Sequence, residues 1–195
     1  MLATRATRRA LAALDGIAPR GQHWAMFLAP VAPLSARVVT IPNGARGISA
    51  TLRQMREYVR EYRKNPEIIS AARSIVFAVP QKDEFSEVGA VFEWVRDMVR
   101  YVRDVHEIET LATPDKTLIT RAGDCDDQTT LLAALLESIG YPTRFVVTGY
   151  QVRDVFEHVH LQVFAGAQWI DCDPTESESL GFSPPSPIST MIEKV

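Results

Sequence analysis

The chain has 195 residues, 46% hydrophobic and 23% charged, the size and balance of one globular domain with some extension, able to bury about 70% of its unfolded surface without staples. No apolar run reaches the roughly 18–20 residues of a bilayer span, the N-terminus lacks the continuous apolar stretch of a secretory signal, and Cys125 and Cys172 are too few for a disulfide framework or a four-cysteine zinc site. The net charge of −3 hides an asymmetry: residues 1–64 carry 11 Lys and Arg against 3 Asp and Glu, whereas residues 65–195 carry 10 against 21.

The basic excess opens the chain. Residues 1–48 read as an arm: Arg5, Arg8 and Arg9 precede any acid, and Pro19, Pro30, Pro33 and Pro42 punctuate the stretch after them. The leading residues share their composition with a mitochondrial presequence, but the extended Pro-containing stretch is not something such a leader requires. Trp24, Met26, Phe27 and Leu28 keep to no period, so the arm is expected to dock on a partner or a neighbouring subunit. Without zinc-finger spacing or an RNA-recognition signature, nucleic acid is not the expected partner.

Residues 49–80 read as a helical hairpin. Ser49 is a plausible N-cap for a helix with Leu52, Met55, Val59 and Tyr62 on one face; Asn65 and Pro66 then cap and open a second helix that ends near Pro80. A third helix is expected from about Asp83 to Arg103, with Phe85, Val88, Phe92, Val95, Val99 and Val102 in its stripe. Thr110 to Thr120 has no period and contains Pro114, so it reads as a loop. Leu131, Leu132, Leu135, Leu136 and Ile139 mark a buried helix that stops at Gly140. Three strands are expected at Arg144–Val152, Glu157–Phe164 and Gln168–Asp173, and residues 177–195, rich in Ser and Pro, as an irregular tail.

Cys125 falls at the start of the leucine-bearing helix, where unpaired N–H groups and a partial positive charge favour a thiolate and can hold an oxyanion. A thiolate needs a proton acceptor, and an imidazole needs a group that fixes its tautomer. His158 opens one predicted strand and Asp173 closes the next, so antiparallel pairing through an Ala165–Ala167 turn sets them side by side. His160 shares the face of His158, as a partner to it, a competing base or a plain polar residue. Asp171 shares the face of Asp173 and is the alternative orienter. Cys172 and Trp169 read as packed core residues. Cys125, His158, His160 and Asp173 are zinc-ligand types as well, but the helix-start cysteine is sufficiently explained without metal, and neither a metal nor a cofactor is expected.

The stretch that runs from Gly123-Asp124-Cys125 through the helix to Gly140-Tyr141-Pro142, then His158-Val159-His160-Leu161-Gln162-Val163 and Trp169-Ile170-Asp171-Cys172-Asp173-Pro174-Thr175, resembles the transglutaminase-like cysteine proteins over roughly residues 85–176. The resemblance implies an α+β, papain-like core, residues 81–176, with a Cys125, His158, Asp173 triad and a protein or peptide substrate. The Gly-Asp-Cys-Asp-Asp run and the preceding hairpin look most like versions encoded by tailed phages and prophages. That likeness implies phage structural proteins as partners of the arm and a site in a bacterial host's cytoplasm or a phage particle; no membrane is expected, for want of a spanning apolar run. One departure is Asp124, Asp126 and Asp127 around the cysteine: carboxylates there oppose a thiolate, cap the helix, or select a cationic substrate. The expected activity is cysteine-dependent acyl transfer on amides, by hydrolysis or by transamidation; the alternative is a phage virion or assembly protein using the fold as a binding module.

Overall fold

The computed structural model of the protein describes residues 45–103, 110–183 and 185–195. The arm expected over residues 1–48, Trp24 to Leu28 included, thus lies outside the described residues except for its last four. Those four belong to helix α1 (Ala45–Tyr62), which starts one turn before the expected Ser49 cap. Its inner face carries Leu52, Met55, Tyr58 and Val59.

Helix α2 (Pro66–Val76) opens where its sequence demands, with the Asn65 side chain accepting from the backbone N–H groups of Glu67 and Ile68. It stops at Val76 rather than near Pro80, and Phe77 is left 79% exposed. Helix α3 (Glu84–Met98) is capped by Asp83, whose carboxylate accepts from the Ser86 N–H. It falls short of the expected end at Arg103. Val99 turns extended, and Arg100–Tyr101 (β1) pairs in parallel with Ala122–Gly123 (β2). That pairing gives the N–H groups of Arg100 and Val102 carbonyl partners at 2.9 and 3.0 Å, and it outweighs the helical stripe.

The expected loop before β2 holds a short helix, α4 (Pro114–Thr120), opened by Pro114. Seven residues are too few to display a period, and the proline, read as a breaker, is an N-terminal residue. Helix α5 (Cys125–Ser138) is buried all round from Asp127 to Leu136, the mark of a central helix. It packs against α1, α2, α3, α4 and one face of the sheet.

That sheet is fully antiparallel in the order β5-β4-β3-β6, from β3 (Thr143–Gly149), β4 (His158–Ala165), β5 (Gln168–Cys172) and β6 (Ser189–Lys194). The β4–β5 turn has positive φ at Gly166 and Ala167, the two-residue hairpin that suits twisted strands. The described residues between 177 and 188 carry no helix or strand, but strand β6 corrects the end of the expected irregular tail. Its Met191 packs on the core, and Glu193 pairs with Arg56 of α1 at 2.6 Å. Phe145, Val147, Val159, Leu161, Val163 and Cys172 form the sheet's buried face against α5. Alternation turns His158, His160, Gln162, Trp169 and Asp171 to the other face. Among the described residues no helix is long and apolar enough to cross a membrane.

Candidate active site

The start of α5 is fixed by its own acids. Asp124 is the N-cap, and its carboxylate accepts from the N–H groups of Asp126 (3.1 Å) and Asp127 (3.2 Å). Asp127, buried, accepts from the Ala112 N–H at 2.7 Å and ties the segment before α4 to this turn. Gly123 makes room for it: a Cβ there would stand 2.5 Å from the Asp127 Cβ. Gly123→Ala is therefore expected to cost about 1–3 kcal/mol in urea denaturation, the usual range for overpacking; a change under about 0.5 kcal/mol would mean that Asp127 swings aside freely.

A gap in the sheet positions the thiol. The last β4–β5 pair is Leu161 with Cys172, after which Asp173-Pro174 leaves the strand, so residues 158–160 have no β5 partner. One turn of α5 fills that place. Thr129 Oγ1 donates to the Val159 carbonyl at 3.3 Å, and the Val159 N–H lies near enough to the Cys125 sulfur to favour its charged form. Cys125 thus lies against the His158–Val159 peptide.

His158 and Asp173 meet: His158 Nε2 is 2.5 Å from Asp173 Oδ2, with the carboxylate side chain only 1% exposed. The other carboxylate oxygen accepts from the N–H and hydroxyl of Thr175 at 3.1 and 2.7 Å. Cys125 and His158, although neighbours, are not joined by a hydrogen bond; the thiol donates to Asp126 Oδ1 at 3.6 Å. Asp171 is not the orienter of His158. It accepts from His160 Nε2 (3.3 Å) and Gln162 Nε2 (2.7 Å), and Gln162 Oε1 in turn accepts from Arg144 Nε at 2.7 Å. The His158 and His160 rings lie roughly parallel, 6.0 Å between centroids.

The charges reflect this arrangement. Burial works to raise the Asp173 carboxyl, but the hydrogen bonds and charge of His158, with the Thr175 bonds, outweigh it and hold the group below the ordinary carboxylate range. Asp171 is likewise lowered against its burial, by His160 and Gln162. Cys125 goes the other way: burial first, then Asp126 and Asp124, push the thiol up, and only the Val159 N–H opposes them. Burial and the flanking acids thus both favour the protonated thiol. Because Asp124 occupies the N–H groups of Asp126 and Asp127, the oxyanion donor remaining on this turn is the N–H of Cys125 itself.

Cys172 is fully buried among apolar residues, as expected, whereas Trp169 is not core. It stands half-exposed, edge-on to Phe164 and under the Arg144 guanidinium at 4.1 Å. Tyr101 is a site residue that sequence reasoning missed. Burial raises its phenol, and it lies near enough to Cys125 and Asp124 for their charges to raise it further. It gets there through the β1–β2 pairing, which a two-residue strand does not announce.

A helix-start cysteine on an antiparallel sheet that presents a histidine–aspartate pair is the α+β arrangement of a papain-like core. The sequence profile of the transglutaminase-like superfamily matches residues 71–174, more than half of the chain, and the chain belongs to that superfamily. No match is found among curated proteins. Among solved structures, a candidate protease from Parabacteroides distasonis shares 12% identity at a TM-score of 0.54, covering 76% of this chain and 32% of that one. A candidate cysteine protease from Cytophaga hutchinsonii shares 20% at 0.49, covering 71% and 47%. A complex of Rad4 and Rad23 crosslinked to undamaged DNA shares 12% at 0.45, covering 68% and 39%. The chain therefore spans less than half the length of each of these.

Proposed function

We propose that the protein carries out cysteine-dependent acyl transfer on amide bonds, with Cys125 as nucleophile, His158 as proton shuttle and Asp173 as the group that orients His158. The observation that carries the reading is the 2.5 Å contact between His158 and a carboxylate sealed from solvent, one peptide away from a thiol at a helix start. With Nε2–H held by Asp173, the other imidazole nitrogen is the base. The sulfur attacks the amide carbonyl as its proton passes to His158, and the C–N bond then breaks as His158 returns that proton to the leaving amine. Water or a second amine resolves the thioester, giving hydrolysis or transamidation.

A protein or peptide substrate fits this chemistry, and the phage or prophage setting rests on the Gly-Asp-Cys-Asp-Asp run and the helices before it. The raised thiol supports a second reading, a virion or assembly protein that keeps the fold for binding. Labelled casein, assayed for both cleavage and incorporation of a fluorescent primary amine, separates the two. Wild-type turnover that falls to background in Cys125→Ala supports catalysis. Wild-type protein without turnover on casein or a peptide library, together with an assembly role that survives Cys125→Ala, would replace it with the binding module.

A further inference from the structure

We propose that His158, His160 and Asp173 form an inhibitory site for zinc or a similar borderline divalent cation, so that the ion, when bound, takes the groups that would move the proton in acyl transfer. One nitrogen of each imidazole and a carboxylate oxygen of Asp173 lie within 4.8 Å of one another. Two imidazoles and a carboxylate are ordinary zinc donors, leaving a fourth position for water.

The independent observation is the state of His160. Its ring is 1% exposed, and its Nδ1 is buried without a hydrogen-bond partner. The opposite nitrogen, Nε2, is engaged by Asp171, which Gln162 holds and Arg144 steadies in turn. A carboxylate on one imidazole nitrogen, fixing the tautomer so that the other presents a bare lone pair, is the support that metal-binding histidines receive. A histidine kept only for packing has no need of such a chain. Thr148, cross-strand from His158, adds a second buried polar atom without a partner, its Oγ1.

The ion enters between His158 and Asp173, the proton they share leaves to solvent, and His160 Nδ1 closes on the third side. Donors on a four-coordinate zinc at about 2.0–2.1 Å stand roughly 3.3 Å apart, so the His158–Asp173 pair, now at 2.5 Å, opens to admit the ion while the most distant donors, within 4.8 Å, close on it. Cys125 takes no part: it is not among the clustered donors, and its thiol donates to Asp126. The consequence for the proposed chemistry rests on the triad reading, but the binding itself does not.

The experiment is calorimetric titration of the chelator-treated full chain with zinc, repeated with cobalt followed by its visible absorption. Binding of one ion per chain is expected, unchanged within about twofold in Cys125→Ser. Affinity should fall at least tenfold in His160→Gln, and about tenfold in Asp171→Asn, whose site is less buried and which serves if His160→Gln does not fold. No binding at zinc concentrations up to about 100 μM overturns the proposal. So does binding that ignores both substitutions or that disappears with Cys125. Casein turnover by chelated wild-type protein tests the acyl-transfer reading separately, so either can fail alone.

Discussion

Asp173→Asn is expected to lower kcat by about four orders of magnitude in any acyl transfer the wild type performs, the scale seen when a triad's orienting carboxylate is made neutral with its shape kept. Asparagine is close in size, and its carbonyl oxygen can still accept from Thr175, so the fold should persist. What is lost is the charge that holds the His158 tautomer and stabilises the imidazolium. The same substitution should flatten the acid limb of stability. A carboxyl held below its unfolded value of about 3.9 contributes stability above that pH and loses it as pH falls through the lower folded value. Wild type minus variant, followed by urea denaturation from about pH 6 to 2, should therefore shrink toward zero at the acid end. A kcat within tenfold of wild type would remove Asp173 from the machinery.

The legible features of the sequence were the local ones. Asn65-Pro66, Asp124 before Cys125 and the glycine after the leucine helix each act within a few residues, and the structure uses them as caps and stops. The His158–Asp173 contact was legible as far as alternation goes, which puts both residues on one face; the register itself points Asp173 toward residue 160, and the contact forms because the chain leaves β5 after Cys172. Beyond the short helix α4 and the shifted ends of α1 and α2, the errors came from partners distant in sequence. Arg100 and Tyr101 leave their helix to pair with β2, and β6 forms because β3 offers a free edge to residues some 40 or more positions later. Trp169 was misplaced for a related reason. Alternation put it on the face of His158, but only the sheet's layering shows that α5 covers the opposite face. The pairing of Asp171 with His160 needed a glutamine and an arginine from two strands, a network no spacing rule contains.

Asp126→Asn is expected to speed alkylation of Cys125 by iodoacetamide at neutral pH by about an order of magnitude, since thiolate population rises about tenfold for each unit that a raised thiol pKa falls. Two causes act together: the substitution removes the nearest charge opposing a thiolate and the carboxylate that accepts the thiol hydrogen. The freed S–H can then turn to the neighbouring imidazole. Adding His158→Ala should cancel part of the gain, and the size of that part measures how far histidine accepts the proton once Asp126 is gone. Cys172 is an internal control, because it is buried at 0% exposure and should stay unlabelled in every variant until the chain unfolds. In wild-type protein the rate should keep climbing above about pH 8.5, the ordinary thiol value. A wild-type rate that levels off below neutral pH would mean that the helix terminus and His158 outweigh the flanking acids after all, and that a thiolate–imidazolium pair exists in the resting protein.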